Sequence, residues 1–131
     1  MGGIVACDIE SNGLLDTITE VWCIVFTPMD RSSEPMVFDI YTGYDDLEEY
    51  INGVDKIAFH NGIGFDHPAI KKILKVDIPE EKIIDTIVLS RLARPSREGG
   101  HSLKAWGERL GNPKGDYDDW TRLTPEMISY C

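Results

Sequence analysis

The sequence predicts one α/β domain, residues 1–131, built on a mixed five-stranded sheet flanked by helices. Three observations lead there. Three β-rich runs fall within the first 41 residues and are joined by short polar connections, which reads as an antiparallel meander. After them, amphipathic helical patterns alternate with short apolar runs, the mark of strands covered by helices. Finally, 131 residues at 42% hydrophobic content can bury a core without disulfide or metal staples.

The elements follow in order. Ile4, Val5, Ala6 and Cys7 read as a buried first strand, and VWCIVFTP, from Val21 to Pro28, as a β-branched and aromatic second. MDRSSEP supplies turn chemistry. MVFDIY makes a third strand, with apolar alternation at Met36, Phe38 and Ile40. YDDLEEYING places Leu47, Tyr50 and Ile51 at helical spacing and stops at Gly53. KIAFH is a short apolar strand. DHPAIKKILK is amphipathic through Ile70, Ile73 and Leu74, with Pro68 in the first turn, where its missing N–H costs nothing. KIIDTIVLSRLAR starts as a short strand and becomes helical. HSLKAWGERLG is a helix stopped by Gly111, and TPEMISYC a last helix with Thr124 as N-cap before Pro125.

Composition excludes several classes. No apolar run approaches a membrane span, the start has no basic n-region, and no repeat or low-complexity tract is present. Cys7, Cys23 and Cys131 are an odd set without CxxC spacing, which predicts reduced thiols in a cytosol. His60, His67 and His101 show neither HxxxH spacing nor a thiolate partner, which argues against a zinc site. Net charge is −10, yet residues 91–114 carry Arg91, Arg94, Arg97, Lys104, Arg109 and Lys114 against Glu98 and Glu108, a local +4. Two readings stand: a solvated basic surface, or a phosphate-facing edge on an acidic body.

The first strand raises a sharper question, because it ends in Asp8-Ile9-Glu10. Alternation puts both carboxylates on one face, where like charges repel unless a cation lies between them. The alternatives are a frayed strand end and a divalent-metal site. A second carboxylate, Asp66, arrives in the loop HNGIGFD as a helix begins. It suits a helix N-cap, but also a rigid metal ligand. If KIAFH pairs in parallel with the first strand, both ends open on one edge and Asp8, Glu10 and Asp66 converge there. Convergent carboxylates suit magnesium or manganese, and two such ions form a common device for phosphodiester hydrolysis.

Four ordered blocks, DIESNGLL, FHNGIGFD, IIDTIVLSRL and HSLKAWGERLG, resemble the 3′–5′ proofreading exonuclease domain of phage-type family A DNA polymerases, over residues 4 to 131. The resemblance implies a ribonuclease H-like, three-layer DEDD exonuclease that uses two divalent ions, Mg²⁺ or Mn²⁺. It would release nucleoside monophosphates from a single-stranded or frayed DNA 3′ end, in a bacterial or phage-infected cytosol. A polymerase module in cis or trans would be its partner. Asp8 would bridge both ions, with Glu10 on the first and Asp66 on the second. On the substrate side it implies Ser11, Asn61 contacting the terminal nucleotide, and Leu14 as a wedge against the 3′ base. Turn formation is the other role open to Asn61, and core packing to Leu14. Asp85 would support the site, His60 would be structural, and His101 and Trp106 would pack their helix onto the sheet.

One position departs from the pattern. The family's last motif is Y-x-x-x-D; Tyr130 matches the tyrosine, which would help align the attacking water, and the aspartate falls at position 134. A chain stopping at Cys131 is expected to hold Tyr130 loosely, to bind one ion better than two and to be nearly inactive, unless Asp116, Asp118 or Asp119 takes the place. A non-catalytic nucleic-acid-binding or assembly module, or an RNA 3′–5′ exonuclease, are the alternative readings.

Overall fold

The computed structural model describes residues 2–112, 115 and 117–131; Lys114 of the basic stretch and Asp116 lie outside the described residues. Five strands form one sheet in the order β3-β2-β1-β4-β5. They are β1 Ile4–Ser11, β2 Val21–Pro28, β3 Met36–Asp39, β4 Lys56–Phe59 and β5 Ile83–Asp85. The first three pair antiparallel, while β4 runs parallel to β1 and β5 parallel to β4, so the sheet is mixed. β1 is central, and its C-terminal end opens on the same edge as that of β4.

One face of the sheet carries the main core. Val5, Cys7 and Ile9 of β1, Ile24 and Phe26 of β2, and Ile57 and Phe59 of β4 pack beneath α1 (Leu47–Gly53) and α2 (His67–Leu74). Leu47, Ile51, Ala69 and Ile70 are the helical contributions, each at most 1% exposed. Each fully buried aliphatic or aromatic side chain here stabilises by about 1.5–3 kcal/mol relative to exposure. A smaller cluster, Cys23, Leu123 and Met127 with Trp22, Trp120 and Cys131 against it, lies under α5 (Pro125–Tyr130). Cys23 and Ile24 are successive strand residues, so the two clusters occupy opposite faces.

The second cluster depends on a β-bulge. Glu10 pairs with Cys23 but Ser11 pairs with Val21, which leaves Trp22 as an extra residue on β2. The bulge turns Trp22 and Cys23 toward the same cluster, and the Trp22 indole donates to the Trp120 carbonyl at 2.9 Å. Thr124 caps α5 by accepting from the Met127 N–H at 3.1 Å, as its position before Pro125 predicts.

Several local expectations change. Ile40 lies past the end of β3 and packs in the second cluster, whereas Phe38 joins the main core and Met36 is exposed. The helix predicted from Asp66 begins a turn earlier, as a π-helical turn over Gly62–Asp66 that runs into α2. Asp66 has helical dihedrals and makes no side-chain cap bond, so it is not the N-cap. His101 and Trp106 hold α4 (Leu103–Arg109) against α3 (Thr86–Ala93) rather than against the sheet. The Ser90 hydroxyl of α3 is 2.7 Å from His101 Nδ1 and accepts from the Trp106 indole at 2.9 Å.

Candidate functional site

Asp8 and Glu10 project from the face of β1 opposite Ile9, because Ile9 belongs to the main core and the strand alternates. Glu10 is 8% exposed and Asp66 5%, so both carboxylates are drawn out of water, while Asp8 is half-buried. Oxygen atoms of Asp8 and Glu10 and the Cys131 sulfur lie within 4.8 Å of one another. Asp8, Asp66, Asn61 and Cys131 line one cleft of about 580 Å³. Glu10, Ser11, Leu14 and Trp120 line an adjoining hollow of about 300 Å³, and the two share Ile9 and Phe65.

The electrostatics of this edge are unfavourable to negative charge. Burial first, and then the charge of Asp8, push the Asp66 carboxyl from the ordinary 3.8 up to about 8; Glu10 adds to the effect. Backbone N–H groups of Asp66 and Ile9 oppose it without cancelling it. The hydrogen bond with Cys23, burial and the Asp8 charge all push the Cys131 thiol up. A buried group of carboxylates that holds a proton near neutral pH is a donor set that a divalent cation would satisfy, and oxygen donors fit a hard ion.

The loop that delivers Asp66 is held by sterics and by one carboxylate. A Cβ on Gly62 would fall 2.4 Å from the Cβ of Phe59, and one on Gly64 2.4 Å from Asn61 Oδ1. These glycines admit close contact, so they do not loosen the loop. Asn61 itself sits in the left-handed region at φ 72. Asp85, 6% exposed, accepts from the Asn61 N–H at 2.9 Å, the Ile63 N–H at 3.0 Å and, as N-cap of α3, the Ile87 N–H at 3.1 Å. The supporting position expected for Asp85 is thus a clamp between the Asp66 loop and α3. His60 bridges the neighbouring segments, 2.8 Å from Thr86 Oγ1 and 2.7 Å from the His101 carbonyl.

Leu14 is 73% exposed, which removes core packing as its role and leaves it on the rim of the hollow. The Ser11 hydroxyl donates to the Gly13 carbonyl at 2.9 Å and shapes that rim. Tyr130 is half-buried and packs against Tyr117 and Trp120, each ring pair at 5.7 Å, so it is not loosely held. Asp118 and Asp119 stay outside the Asp8 cluster; Asp119 accepts from Thr121 and Arg122. In the basic stretch, Arg97 and Arg109 lie over the Trp106 ring at 4.6 and 4.9 Å, and Arg109 also donates to the Glu98 and Gly100 carbonyls. Arg91, Arg94 and Lys104 are exposed and make none of these contacts, and Arg109 is exposed as well. Sequence reasoning missed Cys131 and Trp120 as parts of the site, since only the bulge and the docking of α5 bring them to β1.

No protein-family model matches the chain. The DNA-directed DNA polymerase of Escherichia phage T7 is 36% identical over 152 aligned positions, covering 95% of this chain and 21% of the polymerase. That of Enterobacteria phage T3 is also 36% identical, covering 92% and 21%. The chain spans about a fifth of the length of these curated relatives. Among solved structures, Brucella melitensis NrnC with bound Mg²⁺ has a TM-score of 0.73 at 21% identity, over 99% of this chain and 65% of that one. Escherichia coli RNase D has a TM-score of 0.68 at 17% identity, over 97% and 34%. The fold is ribonuclease H-like. Among the described residues, no helix is long and apolar enough to cross a membrane.

Proposed function

We propose that this chain, a sequence relative of the phage T7 and T3 DNA polymerases, is a DEDD-type 3′–5′ exonuclease domain that hydrolyses DNA, in a cytosolic setting and beside a polymerase module. The observation that supports the reading is that Asp8 and Asp66 line one cleft at the edge where β1 and β4 end in parallel, with the Glu10 carboxylate beside that of Asp8. Asp8 and Glu10 would hold one divalent ion and Asp66, with Asp8, a second, of the Mg²⁺ or Mn²⁺ class. When bound, they supply a nucleophilic water at neutral pH and neutralise charge on the leaving oxygen.

The remaining residues bind and orient. Leu14 offers an apolar edge to the terminal base, and Ser11 and Asn61 line its approach. Asp85 positions the Asn61 loop by accepting from the Asn61 and Ile63 N–H groups while capping α3 at Ile87. Tyr130, braced by Tyr117 and Trp120, aligns the attacking water. No nucleophilic side chain is used, so the reaction is a direct displacement at phosphorus.

The test is a 5′-labelled single-stranded DNA oligonucleotide with Mg²⁺ or Mn²⁺. For a chain continued through the motif aspartate expected at position 134, stepwise shortening from the 3′ end with release of nucleoside monophosphates, lost with chelator and in Asp8→Ala, is expected. Internal cleavage, metal-independent cleavage, or neither cleavage nor Mn²⁺ binding would overturn the reading. Faster hydrolysis of the matching RNA would move the substrate to RNA.

A further inference from the structure

We infer that Asn12 is a positioning residue for the 3′ end of the substrate: its amide closes the loop between β1 and β2 and so holds Leu14 out as a fixed apolar edge on the rim of the hollow. This rests on the reading of Leu14 as a wedge against the terminal base and adds the group that keeps the wedge in place.

The first argument is that Leu14 stands where an apolar side chain does not stay unaided. It is 73% exposed, whereas Ile18 of the same loop is 2% exposed and Leu15 packs against the main core. A leucine on a slack loop folds back onto apolar surface, because burial is favourable. Display of Leu14 therefore needs a braced loop.

The second argument is the brace itself. Pairing of β1 with β2 shifts at the bulge, where Ser11 meets Val21. Asn12 follows directly, and its N–H donates to the Glu20 carbonyl at 3.2 Å. Its side-chain Oδ1 accepts from the Thr19 and Glu20 N–H groups at 3.1 and 3.0 Å, and its Nδ2 donates to Thr19 Oγ1 at 2.7 Å. Two backbone donors can face only an acceptor, which fixes the orientation of the amide. Both lone pairs of that oxygen and one of the two N–H groups are thus spent inside the loop. Asn12 borders the hollow, but most of its hydrogen-bonding capacity is turned away from a nucleotide.

The tip is held as well. The Leu14 carbonyl accepts from the Thr17 and Ile18 N–H groups at 3.0 and 2.7 Å. Gly13 passes so near Thr17 that a Cβ on it would fall 2.9 Å from Thr17 Oγ1. From the other side, Lys72 Nζ donates to the Leu15 carbonyl at 2.9 Å. Lys72 belongs to α2, which continues the turn ending in Asp66. The loop is thereby set against the strand that carries Asp8 and Glu10 and against the helix that follows Asp66, and Asn12 is the residue that closes its base.

The experiment uses a single-stranded DNA oligonucleotide with 2-aminopurine next to its 3′-terminal base, an analogue whose emission rises when its stacked neighbour is displaced. Ca²⁺ replaces Mg²⁺, its looser coordination geometry slowing hydrolysis. Emission is read at saturating protein, with binding followed by anisotropy, so that affinity does not enter. The parent should raise the emission, and Asn12→Ala should lose most of that rise, down to the level of Leu14→Ala. Adding Asn12→Ala to Leu14→Ala should remove nothing more, since both act through one contact. Asn12→Asp keeps an acceptor for both backbone N–H groups and should restore the rise. An undiminished rise in Asn12→Ala, a further loss in the double variant, or no restoration by Asn12→Asp would overturn the inference. No rise in the parent, or a rise that survives Leu14→Ala, would instead overturn the wedge reading, and the inference with it.

Discussion

Asp66 should make the metal-free protein less stable as pH rises, and Asp66→Asn should remove that dependence. The carboxyl is 5% exposed and is pushed from the ordinary 3.8 to about 8 by burial and by the neighbouring Asp8 charge. Between those values the folded chain keeps a proton that the unfolded chain has released. Stability is therefore fully present below about pH 4 and is lost as pH rises through about 8. At about 1.4 kcal/mol for each pH unit, ionising the folded group costs on the order of 5 kcal/mol, a large part of the roughly 5–15 kcal/mol that holds a domain together. Asparagine has nearly the same shape and no charge. The stability gap between Asp66→Asn and the parent should widen by roughly 3–4 kcal/mol between about pH 5 and pH 8 in the variant's favour, or roughly 10 °C in Tm. Urea unfolding followed by tryptophan fluorescence, with chelator present, measures it; taking the difference between the two proteins cancels other titrating groups. Mn²⁺ at a hundredfold excess over Kd should restore about 2.7 kcal/mol to the parent at high pH and nothing comparable to the variant. A gap that stays constant with pH would refute the electrostatic account of the site.

Asp8→Ala should abolish divalent-ion binding by calorimetry, yet raise the Tm of the metal-free protein near pH 8, because it removes a charge that opposes ionisation of Asp66. Leu14→Ala should change stability by less than about 0.5 kcal/mol, since the side chain is 73% exposed, while lowering kcat/KM on single-stranded 3′ ends. Charge reversal at Arg91, Arg94 and Lys104 should flatten the salt dependence of oligonucleotide binding in a fluorescence-anisotropy titration, whereas Trp106→Ala should lower Tm by releasing Arg97, Arg109 and Ser90 from their shared contact.

Much of the fold was legible because it follows from local periodicity. Strand alternation in IVACDIE, helical spacing in YDDLEEYING and the Thr124-Pro125 start each carry their structure within a few residues, and each forms where expected. The candidate carboxylate edge was legible for a related reason: a parallel β1–β4 pair brings Asp8 and the HNGIGFD loop together whatever the side chains between them. What was not legible depends on register and on distant contacts. The extra residue at Trp22 leaves the β2 pattern looking like any apolar run, yet it turns Trp22 toward a carbonyl 98 residues away and so seats α5. Once α5 is seated, Cys131 meets Asp8 across 123 residues, and no spacing rule links those two positions.

The basic stretch shows the same limit in charge. Counting residues treats every arginine alike, but two of them lie over one indole ring, and Arg109 also donates to loop carbonyls in the turn between α3 and α4. Among the described basic residues of that stretch Arg91, Arg94, Lys104 and Arg109 are exposed, and of these Arg109 is already tied to the Trp106 ring and to loop carbonyls. The glycines of HNGIGFD make the point for backbone: their composition suggests looseness, while a Cβ added at Gly62 or Gly64 would fall 2.4 Å from Phe59 or Asn61, which leaves no room for a side chain there. The tight loop sets Asp66 beside Asp8, and burial first, then the Asp8 charge, push its carboxyl up to about 8. A flexible carboxylate would swing away and ionise at its ordinary pKa. The charge conflict that makes this edge costly without an ion arises from burial and neighbouring carboxylates, on a loop that two small residues and a clamp at Asp85 hold in place.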